Sequence, residues 1–167
     1  MAYFSEEYGK LVSSGKVLST NDFLTSKLVV MDFIIDEKLY KSLLNYLRSI
    51  VCSENLLAVR KIHLFKLMFQ EKRTVDDISA EALDIYNYFV AQGSAFEVSI
   101  SSRRRVQVMT SLANPKIDAF ASMDKQALAV VETQLPSFYK SKDFTQLIQV
   151  YITSQKAMKN FSCMGFF

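Results

Sequence analysis

Acid–base, nucleophilic and metal chemistry all need polar groups at fixed spacing, and this chain of 167 residues has few of them. Its single histidine, His63, shares the polar side of a helical pattern with Arg60, Lys66 and Gln70. There a solvated side chain is a simpler reading than a general base. Cys52 and Cys163 stand far apart and make neither a metal-ligand spacing nor a disulfide framework. The acidic pairs Glu6–Glu7 and Asp76–Asp77 suit helix starts, where the helix dipole favours negative charge. The run Arg103–Arg105 has the charge to bind phosphate or an acidic membrane, but at the start of a short helix it reads first as a solvated face. There is no Gly-rich phosphate loop and no cluster of metal ligands. The sequence therefore predicts no enzyme active site, no metal and no cofactor. One polar pair is harder to dismiss: Glu54 and Asn55, in the stretch VCSENLL (51–57), interrupt two apolar helix-like runs. They suit either the ordinary polar start of a helix or a tip that a partner reads.

The elements that must position that pair are helices. Only 4 Gly and 2 Pro punctuate the chain, whereas an all-β fold needs turn residues every ~8–12 positions. Ala58, Ile62, Phe65 and Phe69 recur at helical steps, as do Ile78, Ala82, Ile85 and Phe89. The second of these helices is expected to be capped by Ser79 or by Asp76–Asp77 and closed by Gly93. Leu39, Leu43, Tyr46, Leu47 and Ile50 make a third stripe, and helices are expected over 118–132 and 144–158. KLVVMDFII (27–35) is β-branched but has no partner strand, so it too reads as helix. One segment departs from the rule. In FEVSISS (96–102), Phe96, Val98 and Ile100 alternate with Glu97, Ser99 and Ser101, the period of an extended chain. A lone strand leaves its backbone unpaired, so the segment reads as a loop pinned by its apolar residues, its polar ones outward. Ser102 would cap the next short helix, which ends near Pro115.

With 50% hydrophobic and 22% charged residues, the composition is that of a globular domain large enough to bury a core. A net charge of +3 is too mild to demand nucleic acid. No apolar stretch is long enough to span a membrane, and the first residues lack a signal-peptide layout. The expectation is a cytoplasmic, all-α bundle whose membrane contact is at most peripheral.

The order of the pieces resembles the regulator of G-protein signalling (RGS) domain family. That family's Phe-x-x-Phe-Leu helix and Ser-Glu-Glu-Asn-Leu turn are matched by Leu43, Tyr46, Leu47 and CSENL (52–56). Its Ala-x-x-Ile-Tyr-x-x-Phe is matched by Ala82, Ile85, Tyr86 and Phe89. Its Glu-Val-Asn-Leu-Asp loop is matched by Glu97, Val98, Ser99, Ile100 and Ser101, and the Arg that follows falls on Arg105. SFYKS (137–141) stands where the family has Arg-Phe-Leu-Lys-Ser. The resemblance implies a nine-helix bundle forming a single domain over 1–167. Its core would span about 30–152, with terminal helices in 1–29 and 153–167 packed on it. It also implies a partner, the Gα subunit of a heterotrimeric G protein in its GTP-bound or transition-state form. Accordingly Val51, Glu54, Asn55, Glu97, Ser99, Ser101, Thr133, Gln134 and Ser137 are the expected Gα-binding residues. The chain would then accelerate hydrolysis in Gα without a catalytic residue of its own, at the inner face of the plasma membrane.

Departures from the family temper this. Ala58 and Val59 replace a Phe-Trp pair, and Ser99 replaces an Asn. The family's Asp-Ser-x-x-Arg contacts fall near Thr133, Gln134 and Ser137, which carry neither charge. Two other readings stay open: an RGS-like binding scaffold without GTPase activation, and an unrelated helical adaptor.

Overall fold

Asp36 starts the first long helix. Its Oδ1 accepts from the backbone N–H groups of Lys38 and Leu39 at 2.8 and 3.0 Å, pairing donors that a helix start leaves open. In the computed structural model the described residues are 28–163, with side chains described to residue 153. They form α1 (Val30–Ile35), α2 (Glu37–Ser49), α3 (Ser53–Gln70), α4 (Val75–Ile85), α5 (Ser102–Ser111), α6 (Ala121–Phe138) and α7 (Lys142–Cys163). A π-helical segment, Tyr86–Val90, continues α4. Among the described residues the protein is thus all-helical, with no strand, and the β-branched run near residue 30 is helix. The expected N-terminal helix over 3–14, and its packing against the C-terminal run, lie outside the described residues.

Two compact units make up the chain: residues up to Ile50 with those from Gln134 onward, and Val51–Thr133. In the first, the α2 stripe is realised by Leu39, Leu43 and Leu47, all fully buried, while Ile50 is 41% exposed. Phe138 fills the space beside them. Its ring centroid lies 5.7 Å from Phe33, 5.4 Å from Tyr46 and 5.2 Å from Phe144. Ring pairs of this kind contribute about 0.5–1.5 kcal/mol beyond their buried area. Tyr151 donates to Asp36 Oδ2 at 2.9 Å and Ser42 to the Asp143 carbonyl at 3.1 Å, tying α7 to α2. Burial pushes the Tyr139 hydroxyl up to about 12, reinforced by Asp32, and it donates to the Leu28 carbonyl at 3.2 Å.

In the second unit, α3 buries Leu56, Ala58, Val59, Ile62 and Phe65. The small Ala58 and Val59 therefore occupy core positions. Phe65 meets Phe120 edge-on at 5.2 Å, and Lys66 pairs with Asp124 at 2.5 Å. Helix α4 starts earlier than its stripe suggests. Thr74, with extended φ −65° and ψ 158°, accepts from the Asp77 N–H and is the cap, so Ser79 lies inside the helix. Asp76 and Asp77 sit in the first turn, as the dipole favours. Gly93, at φ +75°, makes a turn beyond the π segment instead of closing α4. Helix α6 outlasts its expected end at residue 132, running to Phe138 with Pro136 in its last turn. There proline has no N–H for the carbonyl four residues back, so one bond of the ladder is absent.

Candidate functional site

Between α2 and α3 the backbone passes through Val51, which is 89% exposed with φ +55°. A β-branched residue in that left-handed region is strained, because Cβ crowds the following carbonyl. Helix α3 then begins with Cys52 at its N-cap, whose side chain makes no capping bond. Burial, followed by the nearby Glu54 carboxylate, pushes the Cys52 thiol up, so it stays protonated.

Glu54 and Asn55 do not cap the helix either. The Asn55 amide nitrogen donates to Glu54 Oε1 at 2.7 Å and, weakly, to Cys52 Sγ at 3.9 Å. A carboxylate only accepts, so this bond fixes the amide with its NH2 toward Glu54. Asn55 is only 6% exposed, against the expectation of a freely exposed tip. Its Oδ1 accepts no hydrogen bond among the described residues. The first turn of α3 therefore presents one oriented acceptor beside backbone donors that no side chain caps.

The second stretch, 97–101, belongs to no sheet, as expected. Val98 and Ile100 are buried, and Phe96, 42% exposed, rests 6.1 Å from the Phe89 ring. Val98 N–H and Phe96 N–H donate to the carbonyls of Phe89 and Tyr88 at 2.9 and 3.1 Å, tethering the loop to the π segment. Glu97 is half-exposed, but its carboxylate is engaged within the loop. Its carboxylate accepts from the Gly93 N–H and from Arg105 Nη2, each at 2.7 Å. The Gly93 N–H and then Arg105 hold it below the ordinary 4.5. Arg105 also donates to the Val90 carbonyl. Ser101, expected to face a partner, caps α5 through the Arg104 N–H at 3.4 Å, the role assigned from sequence to Ser102. Ser99 alone of the loop's polar residues is exposed without such a task, and its carbonyl accepts from Gln126 Nε2. The other end of that amide accepts from Arg104. The arginine run is therefore not simply a solvated face: Arg104 and Arg105 both hold the loop.

Val51, Glu54, Asn55, Glu97, Ser99, Ser101 and Thr133 all belong to the unit Val51–Thr133, whereas Gln134 and Ser137 belong to the other. Thr133 is exposed and donates to the Val130 carbonyl at 2.7 Å. Gln134 is half-buried and Ser137 exposed, next to Pro136. Sequence reasoning missed Gln126. No periodicity marks it, and its role appears only once a residue 27 positions away is brought beside it. His63 is half-buried, and burial followed by Lys66 lowers its pKa below 6.5.

No helix among the described residues is long and apolar enough to cross a membrane. No curated protein matches the chain. A family model, the Regulator of G protein signaling domain, matches residues 31–147.

Proposed function

The chain belongs to the RGS domain family, and from that premise we propose that it is a GTPase-activating regulator of a Gα subunit. The match runs through both compact units, so we assign residues 31–147 to one domain. Gα supplies its own catalytic Arg and its own Gln to orient water. What remains for a regulator is to hold the flexible switch segments in their transition-state arrangement, which is differential binding. A hundredfold acceleration asks for only about 2.7 kcal/mol of such preference. A few well-placed hydrogen bonds are enough for that.

The observation that carries this reading is the arrangement of Asn55, its NH2 engaged by Glu54 and its Oδ1 accepting no bond among the described residues. An acceptor so fixed loses little freedom when a partner N–H meets it. Val51, Glu54, Asn55 and Ser99 are the contacts. Glu97, Arg105 and Gln126 are positioning residues, because their polar groups are spent on the loop itself. The protein therefore works in the cytoplasm, wherever Gα is held at the inner face of the membrane.

Thr133, Gln134 and Ser137, which lack the family's Asp and Arg, favour a second reading: a module that binds Gα without accelerating hydrolysis. One experiment separates the two. Affinity for Gα·GDP·aluminium fluoride and for Gα·GDP is measured alongside single-turnover GTP hydrolysis over a panel of Gα subunits. An activator binds the aluminium fluoride form better and speeds hydrolysis. Equal binding of the two forms shifts no equilibrium and refutes activation.

A further inference from the structure

We propose that the groove between α3 and α4 is a docking site for a basic amphipathic helix of a partner protein. The inference begins with the composition of α3. One side enters the core through Leu56, Ile62 and Phe65. The opposite side carries Leu64, Leu67 and Met68, and a helix apolar on both sides is expected to be covered on both. Among the described residues the second side stays partly open. Leu64 is 47% exposed, and with Leu67, Met68 and Ala80 of α4 it floors a groove of about 450 Å³.

The rim of this groove is acidic. Glu71 is part of it, and Asp77, Glu81 and Asp84 recur along one face of α4. Among the described lining residues there is one cation, Arg73, and its guanidinium is already paired with Glu71 at 3.0 Å. Lys61 reaches Glu81 at 2.8 Å, while Asp84 makes no ion pair among the described residues. Four carboxylates against one lining cation oppose the sign of the whole chain, which is +3. With Arg73 and Lys61 both engaged, the groove keeps two carboxylates, Asp77 and Asp84, outside any ion pair among the described residues. An acidic partner or an anionic membrane would be repelled by this rim, and a purely apolar ligand would leave the carboxylates unanswered. A helix with aliphatic residues at i, i+3, i+4 and i+7, flanked by Lys or Arg, satisfies floor and rim together. None of the lining residues belongs to the proposed Gα contacts, and the inference does not depend on them.

The test uses the full chain and a fluorescent peptide of about 18 residues, long enough to hold a helix. It carries Leu at the four anchor positions and Lys or Arg elsewhere, and anisotropy reports binding. Saturable one-to-one binding is expected. Glu71→Lys with Asp84→Lys should weaken it about tenfold or more. Leu64→Ala, at an exposed position, should weaken it about fivefold with the thermal midpoint within a few degrees of wild type. Asp118→Lys, an exposed acidic residue outside the groove, should leave the affinity unchanged. The proposal is overturned if Asp118→Lys weakens binding as much as Asp84→Lys alone, since attraction would then be diffuse. It is also overturned if a peptide with Glu in place of Lys and Arg binds equally well, or if no binding is seen up to about 1 mM. Self-association abolished by the groove variants, with no peptide binding, would make the occupant a second copy and likewise refute it.

Discussion

Replacing Asn55 by alanine separates a partner-reading acceptor from a structural polar residue. In the free protein the substitution removes the 2.7 Å bond from the amide to Glu54. Glu54 is only half-buried, so its carboxylate regains water, and the net loss is about 1 kcal/mol. For a chain of this size that lowers the thermal midpoint by roughly 2–4 °C. In the complex the change is larger, because the partner donor that met Oδ1 is left desolvated and unpaired, at a cost of about 1–3 kcal/mol. Activation should therefore fall about five- to more than a hundredfold. The assay is single-turnover hydrolysis of GTP on Gα, run well below the midpoint of both proteins so that each is fully folded. Unchanged hydrolysis in the folded variant would show that Oδ1 meets nothing. A collapse of the midpoint by tens of degrees would show that Asn55 is a structural residue, and would refute the assignment from the other side.

Gln126→Ala frees both the Ser99 carbonyl and Arg104, and should lower activation several-fold with the midpoint moved by no more than about 2 °C; a large drop in midpoint instead would make Gln126 a stability residue. Val51→Asn relieves a β-branched residue from φ +55°, and because Val51 is 89% exposed no packing is lost. Thermal unfolding should show a gain of about 0.5–1 kcal/mol, and a loss would contradict the strain argument. His63, its pKa below the ordinary 6.5 through burial and then Lys66, is favoured neutral in the folded state. The stability it contributes is complete above 6.5 and is lost as pH falls through 6.5 toward the folded value. The midpoint should drop between about pH 7 and about pH 5, and His63→Gln should flatten that drop. Glu97, held below 4.5 by the Gly93 N–H and Arg105, titrates beneath this window. An equal drop in the variant would assign the effect elsewhere.

Elements whose stabilising contacts are local or periodic were legible from residue types. Leu39, Leu43 and Leu47 recur at one helical face and are buried. Val98 and Ile100 alternate with polar neighbours and anchor an unpaired loop. The starts of α4 and α5 were misjudged by a few residues, because Thr74, Ser79, Ser101 and Ser102 are all capable caps. Only the backbone angles at each decide between them. The candidate site was legible as a pair of stretches but not as roles. Glu97 and Ser101 look like surface residues in a list of types. Arg105, folded back across the loop, and Arg104, whose N–H is the capped donor, take up their polar groups. Asn55 is buried with its amide on Glu54, an arrangement that residue types alone do not show.

The π segment has a consequence for how such a loop arises. Ala91 N–H reaches back five residues to the Tyr86 carbonyl, at 2.8 Å, where an α-helix would reach back four. In genetic terms Tyr86–Val90 behaves as a one-codon insertion absorbed without breaking the helix. Each added residue turns an α-helix by roughly 100°, so the widened turn resets the phase at which the chain departs. The core face is already set by Ile78, Ala82 and Ile85 before the insertion, and the loop's azimuth is set after it. Deleting the exposed Asn87 would restore an even ladder and swing the launch of residues 91–101 by about that same angle. The Ser99 carbonyl would then turn away from the amide that now receives it. The direction in which this loop faces is an angular quantity, written in the length of one helix more than in the residues of the loop.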